Sequence, residues 1–271
     1  MIFVCPKCKG KLNIDISSGA AKCSLGHSYD KSRFGYYNLL LGTSSGTHGD
    51  NKEMVLARRE FLSKDFYLPL ALRIGELCAA VLKPGEKILD AGCGEGYYTS
   101  VIREKCKEKS AKIAVFDISK DAVREAAKKK CADDYAVASA YHMPTADESI
   151  DLIVNTFSPL AREEVYRSLK KGGYFIMAIP AEEHLYGLKS AIYDTPYKNE
   201  VADTALEGFE LVSSEELKYP IYLDTDTDIR ALFMMTPYAY RTSAKGRERV
   251  LSLRELQTDA HFIILTYRKE A

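Results

Sequence analysis

Between Lys87 and Thr99 the chain reads KILDAGCGEGYYT, and this stretch restricts the fold more than any other. Ile88 and Leu89 end a short apolar run suited to a buried strand, and Asp90 stands where that strand stops. Gly92, Gly94 and Gly96 follow at alternate positions, removing the Cβ atoms that would keep a ligand off the backbone. The segment from Tyr97 to Cys106 continues as a helix whose first amides lack intrahelical partners and point at whatever fills the loop. Strand, glycine turn and helix in that order describe the nucleotide-binding end of an α/β sheet.

The spacing narrows the nucleotide. A dinucleotide turn is G-x-G-x-x-G, which packs the helix start under a pyrophosphate. Here it is G-x-G-x-G with Tyr97 next, so the third glycine falls one residue early and the dinucleotide fingerprint fails. D-x-G-x-G-x-G after a strand favours S-adenosylmethionine, the loop of class I methyltransferases. Asp90 would then lie near the methionine ammonium, and the glycines would admit ribose and methionine backbone.

The rest of the chain supplies a sheet for that loop. Strand-forming runs are expected at Lys112–Phe116, Tyr135–Ser139, Asp151 onward, Tyr174–Ile179, Phe209–Val212 and Phe262–Tyr267, with helices between them. Lys170-Lys-Gly-Gly reads as a turn, and helices are expected within Thr227–Leu256. Alternation of strand and helix predicts a doubly wound, mainly parallel sheet with its ligand beyond the carboxyl ends of the strands. Asp117, about twenty residues past the last glycine, is placed to accept both ribose hydroxyls. Ser139–Met143 would face the adenine, with His142 packing or capping, and Asn155, Thr156, Phe157 and Ser158 form the exit loop where the methyl acceptor would meet the cofactor. His184 reaches the same sheet edge with Glu182 and Glu183.

The N-terminus carries a second signal. Cys5-Pro-Lys-Cys8 is a C-x2-C knuckle; fourteen residues separate Cys8 from Cys23, and three more separate Cys23 from His27. Three thiolates and an imidazole close a tetrahedral zinc site with no open position, so the metal is structural. Lys11–Ile16 and Ala20–Lys22 are long enough only for a small hairpin, so zinc would supply its folding energy. A redox C-x-x-C lacks the preceding strand and leaves Cys23 and His27 unexplained. Phe34, Tyr36 and Tyr37 follow, able to stack on bases or, the favoured reading, to pack on the neighbouring domain. Leu41–Asn51 is small and polar, a linker, and Asn51–Ser63 is a helix with Met54, Ala57, Phe61 and Leu62 on one face and Arg58 and Arg59 projecting elsewhere.

Length and charge set limits. A chain of 271 residues accommodates one α/β domain and a smaller module: a zinc module over 1–40, a linker and lead-in helix over 41–66, and a methyltransferase domain over 67–271. Equal numbers of acidic and basic residues, 38 each, give no global field, yet Lys7, Lys9, Lys11, Lys22, Lys31 and Arg33 cluster at the N-terminus, a footprint suited to nucleic acid. Seven cysteines, an odd number with Cys78, Cys93, Cys106 and Cys131 scattered, do not make a disulfide framework, and no apolar run suits a signal core or membrane span, so a cytoplasmic protein is expected.

With these pieces placed, the chain resembles the 23S ribosomal RNA (guanine-N1)-methyltransferase family from end to end. The likeness rests on CPKC with the later C-x3-H, GYYNLL, GDNKEMVLARREFL with YLPL, LDAGCGEGYYT, EHLYGLK, MTPYAYR and QTD. It implies a structural zinc that assists RNA recognition, a homodimer, and a methyl acceptor at N1 of a guanine in a 23S RNA hairpin. By matching motifs, it implies that Tyr67, Gly94, Glu95 and His184 contact the cofactor. Guanine N1 carries a proton at neutral pH, and Glu53, Glu182, Glu183 and His184 are candidates for removing it, none singled out. A small-molecule methyltransferase with a partner-binding zinc module, and a noncatalytic RNA-binding regulator, are the competing readings.

Overall fold

The computed structural model describes residues 1–42, 49–201 and 203–270. Residues 43–48 of the expected linker lie outside the described residues. Three two-residue strands, β1 (Asn13–Ile14), β2 (Ala21–Lys22) and β3 (Ser28–Tyr29), form an antiparallel sheet around the cysteines, with β1 and β2 as the expected hairpin. The fourth strand, β4 (Tyr37–Asn38), belongs to the main sheet: it pairs in parallel with Ala136–Val137. Helix α1 (Lys52–Leu62) starts where the sequence predicts, with the Asn51 side chain accepting from the Met54 amide. Helix α2 (Leu68–Val81) follows.

The main sheet continues with β5 (Lys87–Ala91), β6 (Lys112–Asp117), β7 (Asp134–Val137), β8 (Ile150–Thr156) and β9 (Leu169–Pro180). Helices α3 (Tyr97–Lys105), α4 (Lys120–Lys129) and α5 (Arg162–Ser168) lie between them. After β9 come α6 (Tyr186–Ile192), β10 (Phe209–Leu223), α7 (Asp226–Met234), α8 (Tyr238–Arg241), α9 (Ala244–Leu251) and β11 (Leu256–Lys269). Strand order across the sheet is β10-β11-β9-β8-β5-β6-β7-β4. From β5 the chain winds outward through β6 to β7, then returns to β8 on the other side of β5. That reversal opens a crevice at the carboxyl ends of β5 and β8, where ligands of doubly wound sheets bind. β11 is antiparallel to both its neighbours.

Each sheet face is covered differently. Ile88, Val115, Leu152, Val154 and Ile176 pack under α1 to α4 together with α6, α7 and α9. Leu89, Ala114, Phe116, Ala136 and Ile153 face the N-terminal module, which contributes Phe3, Leu12, Tyr37 and Leu39. Parallel strands need cover on both faces, and residues 138–149, joining β7 to β8, contain no helix to give it. The module fills that place. Burying each of Phe3, Leu12 and Leu39 is worth about 1.5–3 kcal/mol. Polar ties add to this: the Ile2 amide donates to Asp134 Oδ2 at 2.6 Å, the Val4 amide to the Pro144 carbonyl at 2.8 Å, and Lys9 Nζ to the Met143 carbonyl at 3.3 Å.

Three elements differ from the sequence expectation. Lys170–Gly173 is a bulge inside β9, where pairing with β8 jumps from Ile150–Leu169 to Leu152–Tyr174. A Cβ on Gly173 would meet two carbonyl oxygens at 2.9 Å, so its glycine serves close backbone approach. β10 and β11 are also far longer than their apolar cores, because alternate residues of β10 such as Glu210, Glu216 and Lys218 belong to a solvated edge that carries no apolar signal.

Candidate active site and zinc cluster

The glycine loop lies at the crevice, and its three glycines do different work. All have positive φ, at +90° for Gly92, +54° for Gly94 and +84° for Gly96, the last serving as N-cap of α3. A Cβ on Gly92 would sit 2.3 Å from the Ser158 Cβ, and one on Gly96 would sit 2.7 Å from Cys131 Sγ. Those two are fixed by the protein's own packing. A Cβ on Gly94 would meet no atom within 4 Å. Gly94 therefore borders the open side of the loop, where a ligand belongs.

Around that opening the predicted cofactor residues divide into groups. The Asp117 carboxylate, at the end of β6, accepts from the Gly94 amide at 2.9 Å and from the Ser119 amide at 2.8 Å, which orients it beside the loop. Burial raises its pKa, a rise that those two amides offset only in part. Asp90 is buried under the loop and accepts from Thr99 Oγ1 at 2.5 Å. Burial pushes its carboxyl up to about 7, the Thr99 hydroxyl lowers it and the Asp117 charge adds to the rise. Glu95 is buried and turned toward α4, where one oxygen pairs with Lys129. Its Oε1 has no partner among the described residues. Ser139, past the end of β7, spends its hydroxyl on the Tyr141 amide at 3.2 Å. His142 is exposed.

On the other side of the crevice stands an aromatic box. Tyr67, the N-cap residue of α2, meets His184 with Oη and Nε2 3.4 Å apart. Its ring lies edge-on to Phe262 at 5.1 Å between centroids. Phe157 lies near-parallel to His184 at 6.2 Å and is also close to Tyr67, Tyr98 and Phe262. Its φ is +58° and 42% of it is exposed. A bulky residue in the left-handed region costs about 1–2 kcal/mol, strain of the kind that marks functional loops. Thr156 Oγ1, next to Phe157 in sequence, and Tyr98 Oη, whose ring lies against Phe157, are buried and have no partner among the described residues. Open space at Gly94 together with orphaned buried donors and acceptors fits a polar ligand such as S-adenosylmethionine.

His184 is held in one tautomer. Its Nδ1 accepts from the His261 amide at 3.3 Å, so the ring proton resides on Nε2, facing Tyr67. Burial, with the charges of His261 and Lys189, pushes its pKa down to about 3. The loop around it is clamped from two sides. Asn199 Nδ2 donates to the Ala181 carbonyl at 2.8 Å, while its Oδ1 accepts from the buried Lys189 ammonium at 2.6 Å. His261 accepts from the Glu183 amide on Nδ1 and meets Glu216 at 2.6 Å through Nε2. Glu183 itself faces Lys198 and Lys218, which hold its carboxyl down at about 2, and Glu182 pairs with Lys198. Glu53 is exposed on α1. None of these three carboxylates lies in the aromatic box. Sequence reasoning missed Tyr98, Phe262, His261 and Asn199; the first follows the glycine loop by two residues, and the others carry no local signal.

In the N-terminal module the ligand atoms of Cys5, Cys8, Cys23 and His27 all lie within 4.8 Å of one another. Cys8 Sγ is 3.6 Å from Cys23 Sγ, and His27 Nδ1 is 3.5 Å from Cys5 Sγ and 3.4 Å from Cys23 Sγ. A tetrahedral site with metal–ligand bonds of about 2.0–2.3 Å has edges of about 3.5–3.8 Å. The donor set fits zinc. Tyr29 Oη, 3.1 Å from Cys5 Sγ, supplies an outer hydrogen bond of the kind that orients metal ligands. Tyr36 and Tyr37 are buried, which removes them as base-stacking residues, and Phe34 lies under Arg33 at 4.8 Å and Lys128 at 5.6 Å.

Fold and glycine loop define a class I S-adenosylmethionine-dependent methyltransferase. A methyltransferase-domain family model matches residues 82–225. Phosphoethanolamine N-methyltransferase 2 of Haemonchus contortus, solved with S-adenosyl-L-methionine, superposes with a TM-score of 0.51 over 82% of this chain and 58% of that one, at 16% identity, a likeness of fold. The chain belongs to the 23S rRNA (guanine-N1)-methyltransferase family. A Micromonospora griseorubida protein bearing that name is 30% identical over 87% of this chain and 85% of its own length. The 23S rRNA (guanine(748)-N(1))-methyltransferase of Streptomyces fradiae is 29% identical over 85% of this chain and 83% of its own. No helix among the described residues is long and apolar enough to cross a membrane.

Proposed function

We propose that the protein methylates N1 of a guanine in a hairpin loop of 23S ribosomal RNA, and that Phe157 carries the acceptor end of the reaction. The supporting observation is the exposed, strained Phe157 ring at the exit of β8, set against His184 and beside Tyr67 and Tyr98. A flipped-out base has a π-face for such a ring, and stacking tolerates the unpaired geometry of a loop nucleotide. Bound S-adenosylmethionine would supply an electrophilic methyl group. Tyr67, Asp90, Gly92, Gly94, Glu95, Gly96, Asp117, Ser139 and His184 are assigned to its site, with Gly94 giving access and Asp117 taking the ribose hydroxyls.

His184 is a donor in this reading. Its proton on Nε2 and its depressed pKa leave it unable to take the guanine N1 proton. Glu182, Glu183 and Glu53 are spent on lysines or solvent, so the chain's contribution is alignment and exclusion of water. We assign residues 1–40 to a recognition module held by structural zinc on Cys5, Cys8, Cys23 and His27, residues 41–66 to a linker and lead-in helix, and 67–271 to catalysis. The enzyme works as a cytoplasmic homodimer, as its family resemblance implies. Incubation with labelled S-adenosylmethionine and a hairpin fragment of 23S RNA tests the reading: label enters the RNA, and a guanine-to-adenine change at the target abolishes it. Label on protein or on a small metabolite would overturn it.

A further inference from the structure

One side chain over the cofactor crevice has unspent donors. Arg58 is expected to project away from the apolar face of α1, yet it lies on the same face as the buried Val55, Phe61 and Leu62; it pairs through Nη1 with Asp50 and donates from Nη2 to the Met235 carbonyl at 3.1 Å. A guanidinium has five N–H donors, and these two contacts leave three without a partner among the described residues. The pair is fixed over the sheet edge. The Asp50 carbonyl accepts from Ser119 Oγ at 2.7 Å, two residues beyond Asp117, and Asn51 Nδ2 reaches Tyr240 Oη at 3.2 Å. Arg58 is close enough to Tyr67, Tyr98 and Asp117 for its charge to favour the ionised form of each. The Asp50–Ser119 tie sets the guanidinium beside the Asp117 wall of the crevice. The buried Tyr98 hydroxyl, a second donor in the same region, also lacks a partner.

The other cations nearby are committed. Lys129 is spent on Glu95, and the buried Lys189 on the Tyr197 carbonyl and Asn199. S-adenosylmethionine carries one anionic group, the α-carboxylate of its methionine part, and a planar fork of N–H donors matches a carboxylate edge to edge. We propose that Arg58 and Tyr98 bind the cofactor's α-carboxylate. The proposal rests on the reading of the glycine loop as the cofactor site. It also gives a physical role to the GDNKEMVLARREFL and MTPYAYR stretches, which meet through the Arg58–Met235 and Asn51–Tyr240 contacts.

Calorimetry with S-adenosylmethionine and with its decarboxylated analogue, which lacks only that carboxylate, tests it. Wild-type protein should prefer S-adenosylmethionine by about 10- to 100-fold, the range of a charge-assisted hydrogen bond. Arg58→Met should bring the ratio near one while leaving the analogue's affinity within about threefold, and Tyr98→Phe should lower the ratio by about three- to tenfold. Tyr98→Phe keeps the ring and decides the matter should Arg58→Met fail to fold. A ratio unchanged in the variants would overturn the proposal alone. So would equal loss for both compounds, the mark of a merely structural clamp, or loss confined to hairpin RNA, the mark of a phosphate contact. Wild-type protein that binds neither compound would overturn the loop reading and this proposal with it.

Discussion

Replacing Gly94 by alanine separates what the glycine loop does for the fold from what it does for the ligand. At Gly94 φ is +54°, and the added Cβ meets no protein atom within 4 Å, so the cost to the fold is the left-handed backbone alone, about 1–2 kcal/mol. In a chain of this size each kcal/mol lowers Tm by about 2–4 °C, so Gly94→Ala should unfold roughly 2–8 °C lower than wild type. The same change at Gly92 drives a Cβ to 2.3 Å from Ser158 and at Gly96 to 2.7 Å from Cys131, so both should cost more. The ligand effect runs in the opposite order of severity. Saturating wild type with S-adenosylmethionine at about a hundred times its Kd adds about 2.7 kcal/mol of stability. Gly94→Ala, with a methyl group in the space reserved for the ligand, should gain almost none of it. Scanning calorimetry with and without S-adenosylmethionine measures both quantities. A Gly94→Ala protein that keeps the full ligand-induced rise would refute the assignment of the open face of Gly94 to the cofactor.

Further outcomes follow from the same geometry. His184 has a folded pKa near 3 against 6.5 unfolded, so it contributes stability above pH 6.5 that is lost as pH falls toward 3, by at most about 1.4 kcal/mol per pH unit. Asp90 acts the other way, its raised folded value near 7 withdrawing stability as pH rises from 3.8; denaturation midpoints of His184→Gln should therefore fall with rising pH across 4.5–6.5, and an unchanged pH slope would count against the buried neutral imidazole. Phe157→Gly should relieve left-handed strain, spare cofactor affinity and cut kcat/KM for the hairpin by about 10- to 100-fold, the worth of one stacked base; an unchanged kcat/KM would remove Phe157 from the acceptor site. Atomic absorption should find one zinc per chain, lost in Cys5→Ser together with RNA affinity but with much of the cofactor affinity kept, and a metal-free wild-type chain would contradict the cluster's assignment.

Legibility in the sequence followed how local each signal was. The glycine loop, Asp117 after β6, the alternation of strands and helices and the Cys–His set were readable because each is written within a few residues or at a fixed spacing. The tetrahedral closeness of the four ligands follows from that spacing. Other features depend on residues far apart in the chain. β4 is two residues long, Tyr37 and Asn38, and becomes a strand only because Ala136 and Val137 offer a free edge. The N-terminal module's hydrophobic side, with Phe3, Leu12 and Leu39, looks like the core of a separate unit until the helix-free passage from β7 to β8 leaves a sheet face for it to cover. Arg58 reads as projecting away from the apolar face of α1, yet it lies three residues from both Val55 and Phe61, so the helix repeat carries it to the packed side and the fold sets that side over the crevice. His184 illustrates the same limit in chemistry: imidazole suggests a base, while the His261 amide, 77 residues away, settles its tautomer.

The central claim is the identity of the methylated atom, and primer extension across 23S RNA tests it most directly. N1 methylation blocks Watson–Crick pairing, so RNA from cells containing the protein should give one reverse-transcriptase stop immediately before a hairpin guanine, absent from RNA of cells lacking it and restored by wild type but not by Gly94→Ala. Identical extension profiles with and without the protein would contradict the account.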